Sequence, residues 1–134
     1  MEDAAMTIRA LDHINVWTAD LEATRRFYID VLGLREGDRP GFQSVGAWLY
    51  SGDAPLVHLV ARDDARGGPT GAVDHIAFQA EGLAQLVARL DDRGIAYTRR
   101  TVPGRGMTQV FLHDPNGVRI ELCFAASEGA PAGA

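Results

Sequence analysis

An α+β fold made of two copies of one β-α-β-β-β module is what this 134-residue sequence predicts. Three observations carry that expectation. The chain repeats itself, its apolar residues alternate at strand period around two helical stretches, and glycine and proline mark the turns between them. Leu11-Asp12-His13-Ile14 returns as Val73-Asp74-His75-Ile76, an offset of 62 from His13 to His75. Pro55-Leu56-Val57-His58-Leu59-Val60 overlies Val118-Arg119-Ile120-Glu121-Leu122-Cys123 at an offset of 63, and a one-residue loop insertion accounts for the difference.

Module one, about 8–62, opens with a strand over Ala10 to Trp17, with Ile14 and Val16 on one face and His13, Asn15 and Trp17 on the other. Asp20 caps a helix over Leu21 to Leu32, in which Phe27, Tyr28, Val31 and Leu32 recur at i, i+4 spacing, and Gly33 ends it. Strands follow near Leu34 to Asp38, Ala47 to Tyr50 and Leu56 to Ala61, the last entered through the turn Gly52-Asp53-Ala54-Pro55. Residues 63–72 form a linker. Module two, about 73–125, repeats the order with a strand over Asp74 to Ala80. Its helix, Leu83 to Arg93, carries the apolar stripe Leu83, Leu86, Val87 and Leu90. Strands near Ala96 to Arg100, Thr108 to His113 and Val118 to Phe124 complete it, the last two joined by the turn signal Asp114-Pro115-Asn116-Gly117. Residues 1–7 and 126–134 read as tails, and the small residues, glycine and proline of the second point to disorder.

A hydrophobic content of 46% suffices for one domain with its own core. No apolar run approaches the roughly 18 residues that span a bilayer, and the N-terminus lacks the basic start and apolar stretch of a signal peptide. A cytoplasmic protein with no membrane partner is expected. The single cysteine, Cys123, forms no internal disulfide, in keeping with a reducing compartment. A net charge of −5 and the lack of a basic stripe with interleaved aromatics exclude a general nucleic-acid surface. All 13 cationic residues are Arg, which excludes Schiff-base chemistry and phosphate loops that depend on Lys.

His13, His58, His75 and Glu121 are the candidate site. The repeat superposes His13 on His75 in the first strand and His58 on Glu121 in the fourth. Strand period sets them opposite Ile14, Val16, Ile76, Phe78, Ile120 and Leu122, so with helices over one face of each sheet all four point to the other, concave face. A lone strand histidine is ordinarily a packing or surface residue, and a lone Glu pairs with an Arg; equivalence within the repeat is what sets these four apart. An unpaired carboxylate in an apolar strand carries a large desolvation cost, which a divalent cation removes. Imidazole with carboxylate suits Zn²⁺, Ni²⁺, Fe²⁺ or Mn²⁺. Such a centre attracts an anionic or enolising small-molecule substrate and acts as a Lewis acid. Glu121 is the candidate base, His13 and His75 are structural ligands, and His58 is either a ligand or the acid/base partner. Cys123, on the Glu121 face, reads as a small buried thiol. Trp17, Trp48 and Tyr50 read as core residues or pocket walls and His113 as a surface or rim residue. Arg99, Arg100 and Arg105, around the 102–106 loop, read as solvated surface.

The stretches LDHINVWTADLEATRRFYIDVLGL (11–34), VDHIAF (73–78) and FLHDPNGVRIEL (111–122) resemble the vicinal oxygen chelate superfamily. That group includes glyoxalases, methylmalonyl-CoA epimerases, fosfomycin-modifying transferases, extradiol dioxygenases and bleomycin-binding proteins. The resemblance covers about 8–125. It implies curved mixed sheets around a metal-site cavity, with ligands on the first and fourth strands of each module at His13, His58, His75 and Glu121. It also implies a homodimer whose sites draw on both subunits, and a metal that chelates adjacent oxygens of a substrate. An isomerase or lyase is the activity this suggests. The alternatives are a non-catalytic antibiotic- or toxin-binding protein and an Fe(II) extradiol-type dioxygenase using His13, His75 and Glu121. Each subgroup's pattern is departed from somewhere. Trp17 stands where glutathione-dependent glyoxalase I has an Arg, and His58 where it has a Glu ligand. Fosfomycin transferases use a Lys, which this chain lacks. Phe111 replaces the Tyr of extradiol dioxygenases, and bleomycin-binding proteins usually lack the ligands kept here.

Overall fold

The computed structural model describes residues 5–129. Module one comprises β1 (Ile14–Thr18), α1 (Leu21–Arg26) with a π-helical turn (Phe27–Val31), β2 (Arg35–Gly37), β3 (Gly46–Ser51) and β4 (Ala54–Ala61). Module two comprises β5 (Ile76–Gln79), α2 (Leu83–Arg93), β6 (Thr98–Thr101), β7 (Thr108–His113) and β8 (Arg119–Phe124), and α3 (Ala126–Gly129) follows. Each module forms a four-stranded mixed sheet of one topology, β1-β4-β3-β2 and β5-β8-β7-β6. In each, the first strand runs parallel to the fourth and the remaining pairs are antiparallel. The expected α+β repeat is therefore what the chain forms, and the register reproduces it residue by residue. His58 lies between Asn15 and Trp48, and Glu121 lies between Ala77 and Phe111.

Burying one face of each sheet under its helix accounts for the alternation. Val16, Ala47, Leu49, Val57 and Leu59 of sheet one, and Val110, Leu112, Ile120, Leu122 and Phe124 of sheet two, join Phe27, Tyr28, Val31, Leu83, Leu86 and Leu90 in the core. Each large side chain so buried contributes about 1.5–3 kcal/mol.

Two local expectations are corrected. The helix after Asp20, whose carboxylate accepts from Ala23 N at 3.0 Å, does not stay α-helical to Leu32. It widens at Phe27, where Leu32 N donates to Phe27 O at 3.2 Å, and the wider turn buries Phe27, Tyr28 and Val31 together. The first strands are also shorter than their alternation suggests. β1 begins at Ile14 and β5 at Ile76, because their partners among the described residues, β4 and β8, meet them from Val57 and Ile120 onward. His13 and His75 thus sit one residue ahead of their strands.

The modules clasp each other through α1 and the β7–β8 turn. Tyr28, fully buried, donates its hydroxyl to Asp114 Oδ2 at 2.8 Å. Asp114 Oδ1 accepts from Asn116 N at 2.7 Å and Val118 N at 2.9 Å, and Asn116 Nδ2 reaches Thr24 Oγ1 at 3.1 Å. One carboxylate shapes its own turn and anchors module one. Gly117, at φ 86°, completes the turn; a Cβ there would lie 2.8 Å from Gly68 N, so only glycine lets the linker dock beside it.

Part of the stretch read as a disordered tail is instead α3. Glu128 Oε1 accepts from Gly82 N at 2.9 Å and Leu83 N at 3.0 Å, supplying the N-terminus of α2 with the acceptor its Gly82 cap lacks. The rest of that stretch, 130–134, and residues 1–4 of the first tail lie outside the described residues. Among the described residues no helix is long and apolar enough to cross a membrane.

Burial first, and the Asp114 charge second, push the Tyr28 hydroxyl's pKa far above its usual value. A folded-state pKa raised in this way gives stability that is complete below the unfolded-state value and is lost as pH climbs past it. The thermal midpoint is therefore expected to fall between about pH 9 and about pH 11, and Tyr28→Phe to flatten that fall. An equally steep decline in the variant would contradict the contact.

Candidate metal centre

The period of two in β4 and β8 turns Val57, Leu59, Ile120 and Leu122 to the core and His58, Val60, Glu121 and Cys123 to the opposite faces. The four expected ligands come together as two pairs, one per sheet, rather than as one cluster. Among the described residues no group of three or more His, Cys, Asp or Glu is placed to hold a metal.

In sheet one the His13 ring stacks on His58, with centroids 3.7 Å apart and 13° between planes. Trp48, from β3, stacks on His58 from the other side at 3.9 Å and 12°. His58 is only 7% exposed, and its Nε2 is buried without a hydrogen-bond partner. Burial, and then the charge of His13, hold the His58 pKa below its usual value, which keeps the ring neutral. His13 Nδ1 is tied to Asp12 Oδ2 at 2.6 Å.

In sheet two, His75 Nε2 and Glu121 Oε1 face each other at 3.1 Å. His75 Nδ1 meets Asp74 Oδ2 at 2.8 Å, repeating the Asp12–His13 contact. Arg119 donates to the same Asp74 oxygen at 2.6 Å, with its guanidinium 4.3 Å over the Phe111 ring. The His75 bond first and the Arg119 bond second hold the Asp74 carboxyl below the usual carboxylate range. Glu121 is 6% exposed, and its Oε2 accepts from Gln109 Nε2 at 3.1 Å and from the Cys123 thiol. Burial, with the Glu121 carboxylate second, pushes Cys123 up to about 11, so the thiol remains a protonated donor.

Four partners of the site escaped the sequence reading. Asp12 and Asp74 stand inside the repeated tetrapeptides, so their equivalence was a usable signal. Gln109 and Arg119 required the β7–β8 register, which sets Gln109 opposite Cys123 and Arg119 beside His113. Trp17 is 55% exposed, with the Arg62 guanidinium 4.2 Å over its ring, and so belongs to the surface and not to the core. Arg99, Arg100 and Arg105 are exposed, as expected. A groove of about 1090 Å³ runs between the modules past His13, Ile76, Phe78 and Cys123.

Residues 10–122 match the profile of the Glyoxalase/Bleomycin resistance protein/Dioxygenase superfamily. The chain belongs to that superfamily. One relative within it, Glyoxylase I 4 of Arabidopsis thaliana, is 32% identical over 132 residues, spanning 91% of this chain and 75% of that protein. A Lactoylglutathione lyase of Salmonella typhimurium is 28% identical over 126 residues, spanning 87% and 93% respectively. Among solved structures, a glyoxalase/dioxygenase from Nostoc punctiforme superposes with a TM-score of 0.73 over 93% of this chain and 99% of that one. At 21% identity that is a likeness of fold alone. The two four-stranded sheets are thus the glyoxalase-like architecture of the superfamily.

Proposed function

We propose that this superfamily member is a metal-dependent isomerase or lyase that binds a small substrate through two neighbouring oxygens. Its site is completed between two copies of the chain, His13 and His58 coming from one and His75 and Glu121 from the other. One observation carries the reading. Three of the four side chains, His13, His75 and Glu121, have one polar atom tied back to the protein, which leaves the other to face a cation. Asp12 and Asp74 hold the Nδ1 atoms of His13 and His75, and Gln109 with Cys123 hold Glu121 Oε2. Tying back the non-ligating atom is how proteins fix histidine and carboxylate ligands around a metal. The orphaned, buried Nε2 of His58 fits the same donor set, because a divalent cation supplies the partner it lacks.

A divalent ion bound there supplies Lewis-acid polarisation of a substrate carbonyl. The chain's own groups do the rest. Glu121 Oε1 takes the proton from the carbon beside that carbonyl and returns it to the neighbouring position. Trp48 and Phe111, equivalent across the repeat, wall the two halves of the site and exclude water. The names of the two relatives, a glyoxylase and a lyase, support this class of reaction.

The test is to load the purified protein with Zn²⁺, Ni²⁺, Mn²⁺ or Fe²⁺ and offer a hemithioacetal, an α-hydroxy ketone and a catechol. Isomerised or eliminated product from one of the first two, abolished by Glu121→Gln, is the expected outcome. Oxygen uptake with the catechol would replace this reading with ring cleavage, and stoichiometric binding without product would replace it with sequestration.

A further inference from the structure

Resting on the metal site proposed above, we infer that Gln109 and Cys123 are positioning residues that hold Glu121 Oε2, so that Oε1 alone is presented to the cation and to the substrate's proton. The repeat supplies the comparison. Gln109 and Cys123 face each other across β7 and β8, and the same cross-strand pair in module one, across β3 and β4, is Gly46 and Val60. The two pairs flank different ligands. His58 turns a single buried, unpartnered ring nitrogen, Nε2, to a cation, and its flanking glycine and valine carry no side-chain donor. Glu121 has two equivalent oxygens, either or both of which can bind a cation. Here the neighbours are an amide and a thiol, and both donate to Oε2. The donor pair occurs in the module that carries the carboxylate and is missing from the module that carries the imidazole.

The Gln109 amide strengthens the assignment. Its Nε2 donates to Glu121 while its own Oε1 is buried without a partner. Turning the amide over would aim that oxygen at a carboxylate oxygen, which repels it, so the donation fixes the amide orientation. With Oε2 engaged twice, Oε1 is the oxygen that meets His75 Nε2. Two-oxygen binding of a cation would have to displace at least one of the two donors from Oε2.

The experiment measures Zn²⁺ affinity of the full chain by competition with a chromophoric chelator, alongside the thermal midpoint of the metal-free protein. Gln109→Leu keeps the volume and removes the donor, and Cys123→Val installs the residue of module one. Both are expected to weaken Zn²⁺ by about 10- to 100-fold. Cys123→Ser, which keeps a donor, is expected to restore affinity near wild type, and Val60→Ser, beside His58, to leave it unchanged. Loading with Co²⁺ adds a signature that a structural role would not move: freeing Oε2 raises the coordination number and weakens the visible bands. Wild-type affinity in both Gln109→Leu and Cys123→Val would overturn the inference. Failure of the wild type to bind Zn²⁺ would instead overturn the site it rests on. The metal-free contact is then judged by infrared, because the chain has one thiol and therefore one S–H band. A band unmoved by Glu121→Ala would overturn the Cys123 contact, and a shift toward an unbonded thiol would sustain it.

Discussion

Two variants that each bind no metal are expected to regain a site when paired in one dimer. The first carries His13→Ala with His58→Ala, and the second carries His75→Ala with Glu121→Ala. Each removes one of the two pairs that the fold keeps apart, the stacked imidazoles of sheet one or the facing His75 and Glu121 of sheet two. In a two-fold dimer with shared sites, a mixed pair combines the intact half of each chain at one site and the two damaged halves at the other. Co-expressed with different tags and purified as the mixed species, it should hold about half the metal of the wild-type dimer, while either variant alone holds none. A metal-free mixed dimer would mean that no site is shared between copies.

Asp114→Ala is expected to be the most destabilising single change outside the site. It removes the acceptor for the buried Tyr28 hydroxyl and for the amides of Asn116 and Val118 in one step. Bonds to a charged acceptor contribute about 1.5–3 kcal/mol, and a stranded buried hydroxyl costs about 1–3 kcal/mol. With partial relaxation the loss should be about 3–5 kcal/mol, lowering the thermal midpoint by roughly 10 °C or more. Asp114→Asn, which keeps an acceptor for Tyr28, should recover part of it. A midpoint for Asp114→Ala within about 2 °C of wild type would show that the modules are held together elsewhere.

How much of this was readable in advance follows from what each signal encodes. The offset between His13 and His75, and that between His58 and Glu121, is a one-dimensional property of the chain, and the paired registers reproduce it. Face parity was equally legible, since a side chain two positions along a strand returns to the same side. The π turn at Phe27 was not, because the same apolar spacing serves an α-helix, and packing against the core decides between them. The starts of β1 and β5 depend on where β4 and β8 meet them, which alternation within a strand does not encode. Parity also says nothing of the distance between two sheets, so the sequence pointed to four ligands on concave faces without separating them into two pairs. Gln109 shows the same limit from the other side. It reaches Glu121 only because the Asp114–Gly117 turn sets the hairpin register, and a lone glutamine in a strand carries no label of its own.

The most direct test of a metal held by these residues is elemental analysis of the purified protein beside His75→Ala and Glu121→Ala, each after reconstitution with Zn²⁺, Ni²⁺, Mn²⁺ and Fe²⁺. Close to one divalent ion per chain in the wild type, lost in both variants while their thermal midpoints stay near the metal-free wild type, is the predicted result. A wild type that retains no ion after any of the four, or variants that retain as much as it does, would contradict the account.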